Sequence, residues 1–199
     1  MVSCAVAVPV PYLALALTDV ALAATGHTAA RRVTKPLLMP ALLPGRTPAT
    51  RRALALGWAG DVALLSDGPA ALPAGLGCFL AGHGAWAAAL RSRPSTGLVR
   101  RRPLLALPYA AAWLGLSAYL WPRTGSVRVP VLVYGAALTG TALVALDSGR
   151  PGTAAGGALF LVSDTLLALG RFAGVHLPGG EGAVMATYTA AQALLAEGG

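Results

Sequence analysis

Apolar residues return along the chain in about eight runs, near 5–25, 34–45, 51–66, 70–90, 104–121, 128–147, 153–172 and 182–197. Turn and charge signals stand between them: Arg31 Arg32, the stretch from Pro44 to Pro48, Ser66 to Pro69, Arg91 to Pro103, Trp121 to Arg123, Ser148 to Pro151, and Pro178 Gly179 Gly180. A helix crossing hydrocarbon needs about 20 apolar residues, and fewer where flanking arginines snorkel or the bilayer thins. The pattern therefore predicts an all-α fold, a polytopic membrane helix bundle of about eight transmembrane helices, forming one integral membrane domain over residues 1–199. The second and last runs are the weakest, the second being short and bracketed by prolines, so seven spans is the alternative count. No gap is long enough to hold a soluble domain.

Composition agrees with this pattern and excludes other classes. Of 199 residues, 56% are hydrophobic and 11% charged, against roughly a quarter charged in ordinary soluble domains. With a mean hydropathy of +0.66, there are too few polar groups to cover a water-facing surface, and disorder is equally excluded. The chain carries 15 basic and 7 acidic residues, a net charge of +8. In a soluble chain that balance would suggest nucleic acid. Here the arginines fill the gaps between runs and read as topology signals, with no nucleic-acid partner implied.

Counted along alternating gaps, Arg46, Arg51, Arg52, Arg91, Arg93, Arg100, Arg101, Arg102 and Arg150 fall on the side of the termini. Arg31, Arg32, Lys35, Arg123, Arg128 and Arg171 fall on the other. The positive-inside rule then places both termini in the cytoplasm, with the chain multi-pass in the cell membrane. Ala21 Leu22 Ala23 resembles a leader cleavage site, but the stretch before it lacks a basic start and contains Pro9, Pro11 and Asp19, so it reads as the first span. Cys4 and Cys78, both in apolar runs, give neither a disulfide framework nor zinc spacing, and read as small packing residues. Gly135, Gly140, Gly156 and Gly157 read as sites of close helix packing.

Ionisable residues inside the runs are the functional candidates, because lipid makes each one costly unless it is paired or faces a wet cavity. Asp61 and Asp164 lie deep in separate runs, Asp61 with no basic residue within one turn. Each has a structural reading, a carboxyl satisfied by a serine, a tyrosine or the one lysine. Their functional reading is an acid and base pair, since two carboxyls close together away from water favour one protonated and one ionised member. His83, in Gly82 His83 Gly84, reads as a lone buried histidine or as a member of that site. A metal would need further ligands, and His27 and His176 stand at run edges without ligand spacing, so neither a metal nor a cofactor is indicated.

Lys35 opens the second run next to Pro36, which suits a first helical turn. It reads as a snorkelling lysine, as the partner of a buried aspartate, or as a phosphate ligand. Tyr188 and Gln192, one turn apart, form a polar wall on one face. Asp19 and Asp147 are weaker candidates, Asp147 being read as a span end. Ser163 directly precedes Asp164, so the two side chains point about 100° apart and make no triad by themselves. Nucleophile elbows, phosphate loops and zinc helices are absent from the sequence.

Taken in order, Thr34 Lys35 Pro36 Leu37 Leu38 Met39 Pro40, Gly60 Asp61, Gly82 His83, Tyr134, Phe160 Leu161 Val162 Ser163 Asp164 with Arg171 Phe172, and Tyr188 with Gln192 resemble the YhhN family of lysoplasmalogenase-like membrane proteins. The resemblance implies a membrane hydrolase of about eight helices that cleaves the vinyl ether of lysoplasmalogens, lysophospholipids in a membrane, to a fatty aldehyde and a glycerophospho head group. It implies Asp61 and Asp164 for catalysis, with Lys35, His83, Tyr134, Ser163, Tyr188 and Gln192 in supporting or substrate-binding positions. The chemistry asks for a protonated acid beside an anion and for no cofactor. The alternatives are a hydrolase of another lysolipid, or a small proton-coupled transporter, since buried aspartate and histidine chains also relay protons.

Overall fold

The computed structural model describes residues 7–199, so Cys4 and the first two residues of the first run lie outside the described residues. Helices make up the described chain, without a strand: α1 (Val10–Ala24), α2 (Thr28–Leu42), α3 (Pro48–Ala63), α4 (Ala71–Arg91), the short α5 (Leu98–Arg101), α6 (Leu107–Leu120), α7 (Arg128–Asp147), α8 (Pro151–Ala173) and α9 (Gly180–Gly198). Local chemistry explains the ends. Proline occupies the first turn of α1, α3, α6 and α8, where its missing N–H costs nothing. Thr47 caps α3 by accepting from the Thr50 amide at 3.2 Å. Gly174, at φ +66°, ends α8 in the left-handed conformation that side chains resist.

Three helical segments, 103–123, 125–147 and 151–173, are long and apolar enough to cross a membrane, and α1 is a shorter apolar helix. Large apolar side chains stand on the outside: Val10 is 76% exposed and Leu104 74%. That arrangement suits a bundle whose outer solvent is lipid.

Neighbour contacts run α1–α2–α3–α4–α7–α8–α9 and back to α1, closing a ring of seven helices, while α6 packs outside against α7 and α8. The ring closes tightly where glycine permits. A Cβ on Gly156 would come within 3.0 Å of Leu194 Cβ and 3.1 Å of the Leu195 backbone nitrogen, and one on Gly157 within 2.9 Å of Ala145 Cβ. α8 therefore presents Gly156 to α9 and Gly157 to α7. Gly140, grouped with them from the sequence, faces open space.

Contacts along the chain sort the helix ends into two groups. At one end Arg46 donates to the Ala196 carbonyl (3.1 Å), Arg150 to the Gly198 carbonyl (2.9 Å), and the Thr96 amide to the Asp147 carbonyl (3.2 Å). At the other, Arg31 pairs with Glu181 and Arg32 with Asp67, each at 3.0 Å.

α2 departs from its expected form. It begins six residues before the apolar run, taking Arg31 and Arg32 into the helix: arginine is a good helix former, and the two pair with Glu181 and Asp67 at that end of the bundle. Pro36 consequently lies in the middle of α2, not in its first turn. Pro40 has no N–H to offer the Pro36 carbonyl one turn back. The Trp58 indole of α3 donates to that carbonyl instead, at 2.9 Å, which repairs the break and ties α2 to α3.

Candidate active site

Six helices of the ring send polar or aromatic side chains to one connected cluster. Lys35 on α2 places Nζ 3.1 Å from Asp61 Oδ1, and the Tyr188 hydroxyl on α9 donates to Asp61 Oδ2 at 2.6 Å. Asp61 occupies the last turn of α3, closer to a helix end than its run suggested, but the bundle buries it to 2% exposure. A cation and a hydroxyl donor on the two oxygens define it as a carboxylate. Gly57, one turn earlier, leaves room for the Gln192 amide, whose Nε2 is 3.4 Å from where a glycine-replacing Cβ would sit.

The second carboxyl is held differently. The Tyr134 hydroxyl on α7 donates to Asp164 Oδ2 on α8. With its proton committed, that hydroxyl accepts from His83 Nε2 on α4, 3.3 Å away. Among the described residues no lysine or arginine forms an ion pair with Asp164. Aromatic rings join the two halves: Tyr188 to Phe160 (5.5 Å between centroids), Phe160 to His83 (4.9 Å) and His83 to Tyr134 (5.3 Å). A path of contacts thus leads from Lys35 and Asp61 to Tyr134 and Asp164.

Asp164 and Tyr134 also face a cavity of about 120 Å³ between α6, α7 and α8. Trp113, Thr124 and Arg128 are among its other lining residues, whereas Asp61, Lys35 and His83 do not line it. One aspartate is therefore reachable from outside the ring and the other is sealed within it.

The family profile of YhhN matches residues 9–199. The chain belongs to the YhhN family. Proteins named lysoplasmalogenase from Mycobacterium bovis (strain ATCC BAA-935 / AF2122/97) and Mycobacterium tuberculosis (strain CDC 1551 / Oshkosh) are each 36% identical to it, over 49% of this chain and 40% of theirs. The chain thus spans less than half the length of these curated relatives. No solved structure matches it.

The other residues singled out from the YhhN-like sequence pattern divide by position. Ser163 is buried and donates to the Val184 carbonyl of α9 at 3.0 Å, turned away from the carboxyl beside it in sequence. Asp19 accepts from Thr34 at 2.6 Å and lies 3.6 Å from Arg31, which places it in the network joining α1, α2 and α9. Asp147 ends α7 and receives the Ser95 hydroxyl and the Val99 amide, both at 2.8 Å, so it organises the loop after α4. Arg171 is exposed on the last turn of α8, and Cys78 is a free thiol on α4. Among the described residues no three His, Cys, Asp or Glu side chains gather as a metal centre would require. Sequence reasoning did not single out Trp113 or Thr124 and read Arg128 only as a topology signal; the available signal was that Arg128 stands six residues before Tyr134 in the same run.

Proposed function

We propose that this YhhN-family protein is a membrane hydrolase that cleaves the vinyl ether of lysoplasmalogen-type lysophospholipids. The observation that carries the reading is a carboxyl in no ion pair among the described residues, Asp164, held by Tyr134 and facing a cavity at the edge of an apolar bundle. The name borne by its relatives supports the substrate class.

In this mechanism Asp164, protonated, gives its proton to the vinyl carbon remote from the ether oxygen. The positive charge moves to the adjacent carbon as an oxocarbenium ion. Water adds there, one of its protons returning to the Asp164 carboxylate. The hemiacetal then collapses, its hydroxyl proton passing to the glycerol oxygen as that bond breaks, which yields a fatty aldehyde and the glycerophospho alcohol. Tyr134, donating to one oxygen, leaves the other to carry the proton and is itself oriented by His83. Asp61 acts from a distance: paired with Lys35 and bonded by Tyr188, it is a positioning residue that fixes the Tyr188 ring against Phe160 and, through it, His83. Gln192 and Ser163 support the α9 wall.

For such a substrate the eight long helices would all cross the cell membrane, termini in the cytoplasm, with the short helices tilting little and Arg-rich loops inside. The test is aldehyde release from a lysoplasmalogen by the purified protein in detergent. Asp164→Asn should abolish turnover while leaving substrate binding, and full activity in both Asp164→Asn and Asp61→Asn would sink the mechanism. A panel of ester, alkyl ether and vinyl ether lysolipids separates this reaction from hydrolysis of another lysolipid.

A further inference from the structure

The cavity carries a second chemical feature that the carboxyl chemistry does not use. Arg128, the first residue of α7, lines it at the same end of the bundle as Arg31, Arg32 and Arg123. Its Nε donates to the Gly125 carbonyl at 3.0 Å, and its guanidinium lies 5.6 Å from the centre of the Trp121 ring. Those two contacts hold the side chain in place and leave its terminal nitrogens available. No carboxylate forms an ion pair with it among the described residues. A fixed, unneutralised guanidinium at the rim of an apolar cavity is suited to a phosphate, which it can meet with two parallel hydrogen bonds.

We propose that Arg128 is the phosphate-binding residue that seats a lysophospholipid in the Asp164 cavity. The proposal deepens the functional reading given above and rests on it for the reacting bond. Arg128 and Tyr134 are six residues apart on one helix, about 9 Å along its axis. In a lysoplasmalogen seven bonds separate the phosphorus from the vinyl carbon that receives the proton, about 9 Å at the advance per bond of an extended chain. A phosphate at Arg128 therefore brings that carbon to the level of Tyr134 and Asp164, while the alkyl chain continues among α6, α7 and α8. The other cations fit less well. Lys35 is spent on Asp61 and does not line the cavity, and Arg123 lies over Tyr119, also outside the cavity lining. The rim stands at the end opposite Arg46, Arg91, Arg100 and Arg150, so the lipid enters from the leaflet away from the Arg-rich loops.

Binding rather than turnover tests this directly. The full chain in detergent micelles is titrated with a 1-acyl lysophosphatidylethanolamine, with a monoacylglycerol of the same chain, and with chain-free glycerophosphoethanolamine. The wild type should favour the lysophospholipid over the monoacylglycerol by about tenfold. Arg128→Gln should bring the two within about twofold, Arg128→Lys should keep part of the preference, and Arg123→Gln should keep all of it. Unchanged preference in Arg128→Gln overturns the proposal, as does chain-free glycerophosphoethanolamine binding as tightly as the lipid, which would mark a site for soluble phosphates. A wild-type preference lost in Arg128→Gln, in a protein that never releases aldehyde, upholds the phosphate site and refutes the vinyl ether chemistry. Aldehyde release with unchanged preference does the reverse.

Discussion

The Lys35–Asp61 pair allows a quantitative test of the bundle's centre, because both charges are largely withdrawn from solvent and each partner can be removed separately. The side chains are 16% and 3% exposed, and the closest atoms are 3.1 Å apart. At that distance and an effective dielectric constant near 20, Coulomb attraction is about 5 kcal/mol. Desolvation of two ions offsets most of this, so the pair contributes little relative to an apolar replacement of both. Breaking it is another matter. Lys35→Met leaves the Asp61 carboxylate with Tyr188 as its remaining donor and should cost about 3 kcal/mol. Asp61→Asn leaves an ammonium that can partly escape toward solvent, for about 2 kcal/mol. The double variant has neither stranded charge and should recover to within about 2 kcal/mol of wild type, a coupling of about 3 kcal/mol. Unfolding in micelles, followed by helical circular dichroism under one set of conditions, supplies all four corners of the cycle. Losses that simply add, within about 0.5 kcal/mol, would refute the ion pair.

Three further outcomes follow from the same geometry. Tyr134→Phe removes the hydroxyl that joins His83 to Asp164 and should lower kcat about tenfold with little change in KM, measured by aldehyde release. Ser163→Ala removes the interhelical donor to the Val184 carbonyl, which keeps the Thr187 hydroxyl, and should reduce stability by about 1 kcal/mol in the unfolding assay. Gly157→Ala forces a methyl against Ala145 and the Ala142 backbone and should cost about 1–3 kcal/mol, whereas Gly140→Ala, with open space around it, should be neutral or stabilising; thermal unfolding compares the two.

The hydrophobic pattern made the all-helical class legible because helix-length apolar runs, cut by proline, glycine and arginine, leave the chain few other ways to satisfy its backbone in a nonaqueous solvent. Family membership was legible in the ordered string from Lys35 to Gln192. Asp61, Asp164, Lys35 and His83 stood out for one physical reason: a charged or titratable group without a loop to explain it is expensive in lipid. The pattern was less informative about α2. Arg31 and Arg32 read as a gap between apolar runs, yet arginine is a good helix former, so a break in hydrophobicity there is not a break in the helix; their acidic partners, Glu181 and Asp67, are distant along the chain.

What the sequence determined by itself, then, was the all-helical class, its apolar character and a short roster of polar residues, since each depends on local composition and spacing. Which of them meet was decided by closure of the seven-helix ring. It brings Tyr188 to Asp61 across 127 residues, and Tyr134 to Asp164 across 30. The same closure separates two aspartates that look alike in sequence. Asp61 is sealed inside and neutralised by Lys35; Asp164 faces a cavity because α6 stands outside the ring and covers the α7–α8 seam loosely. Periodicity along a helix specifies which face a side chain occupies, but the neighbour opposite that face belongs to another helix, and no local rule names it.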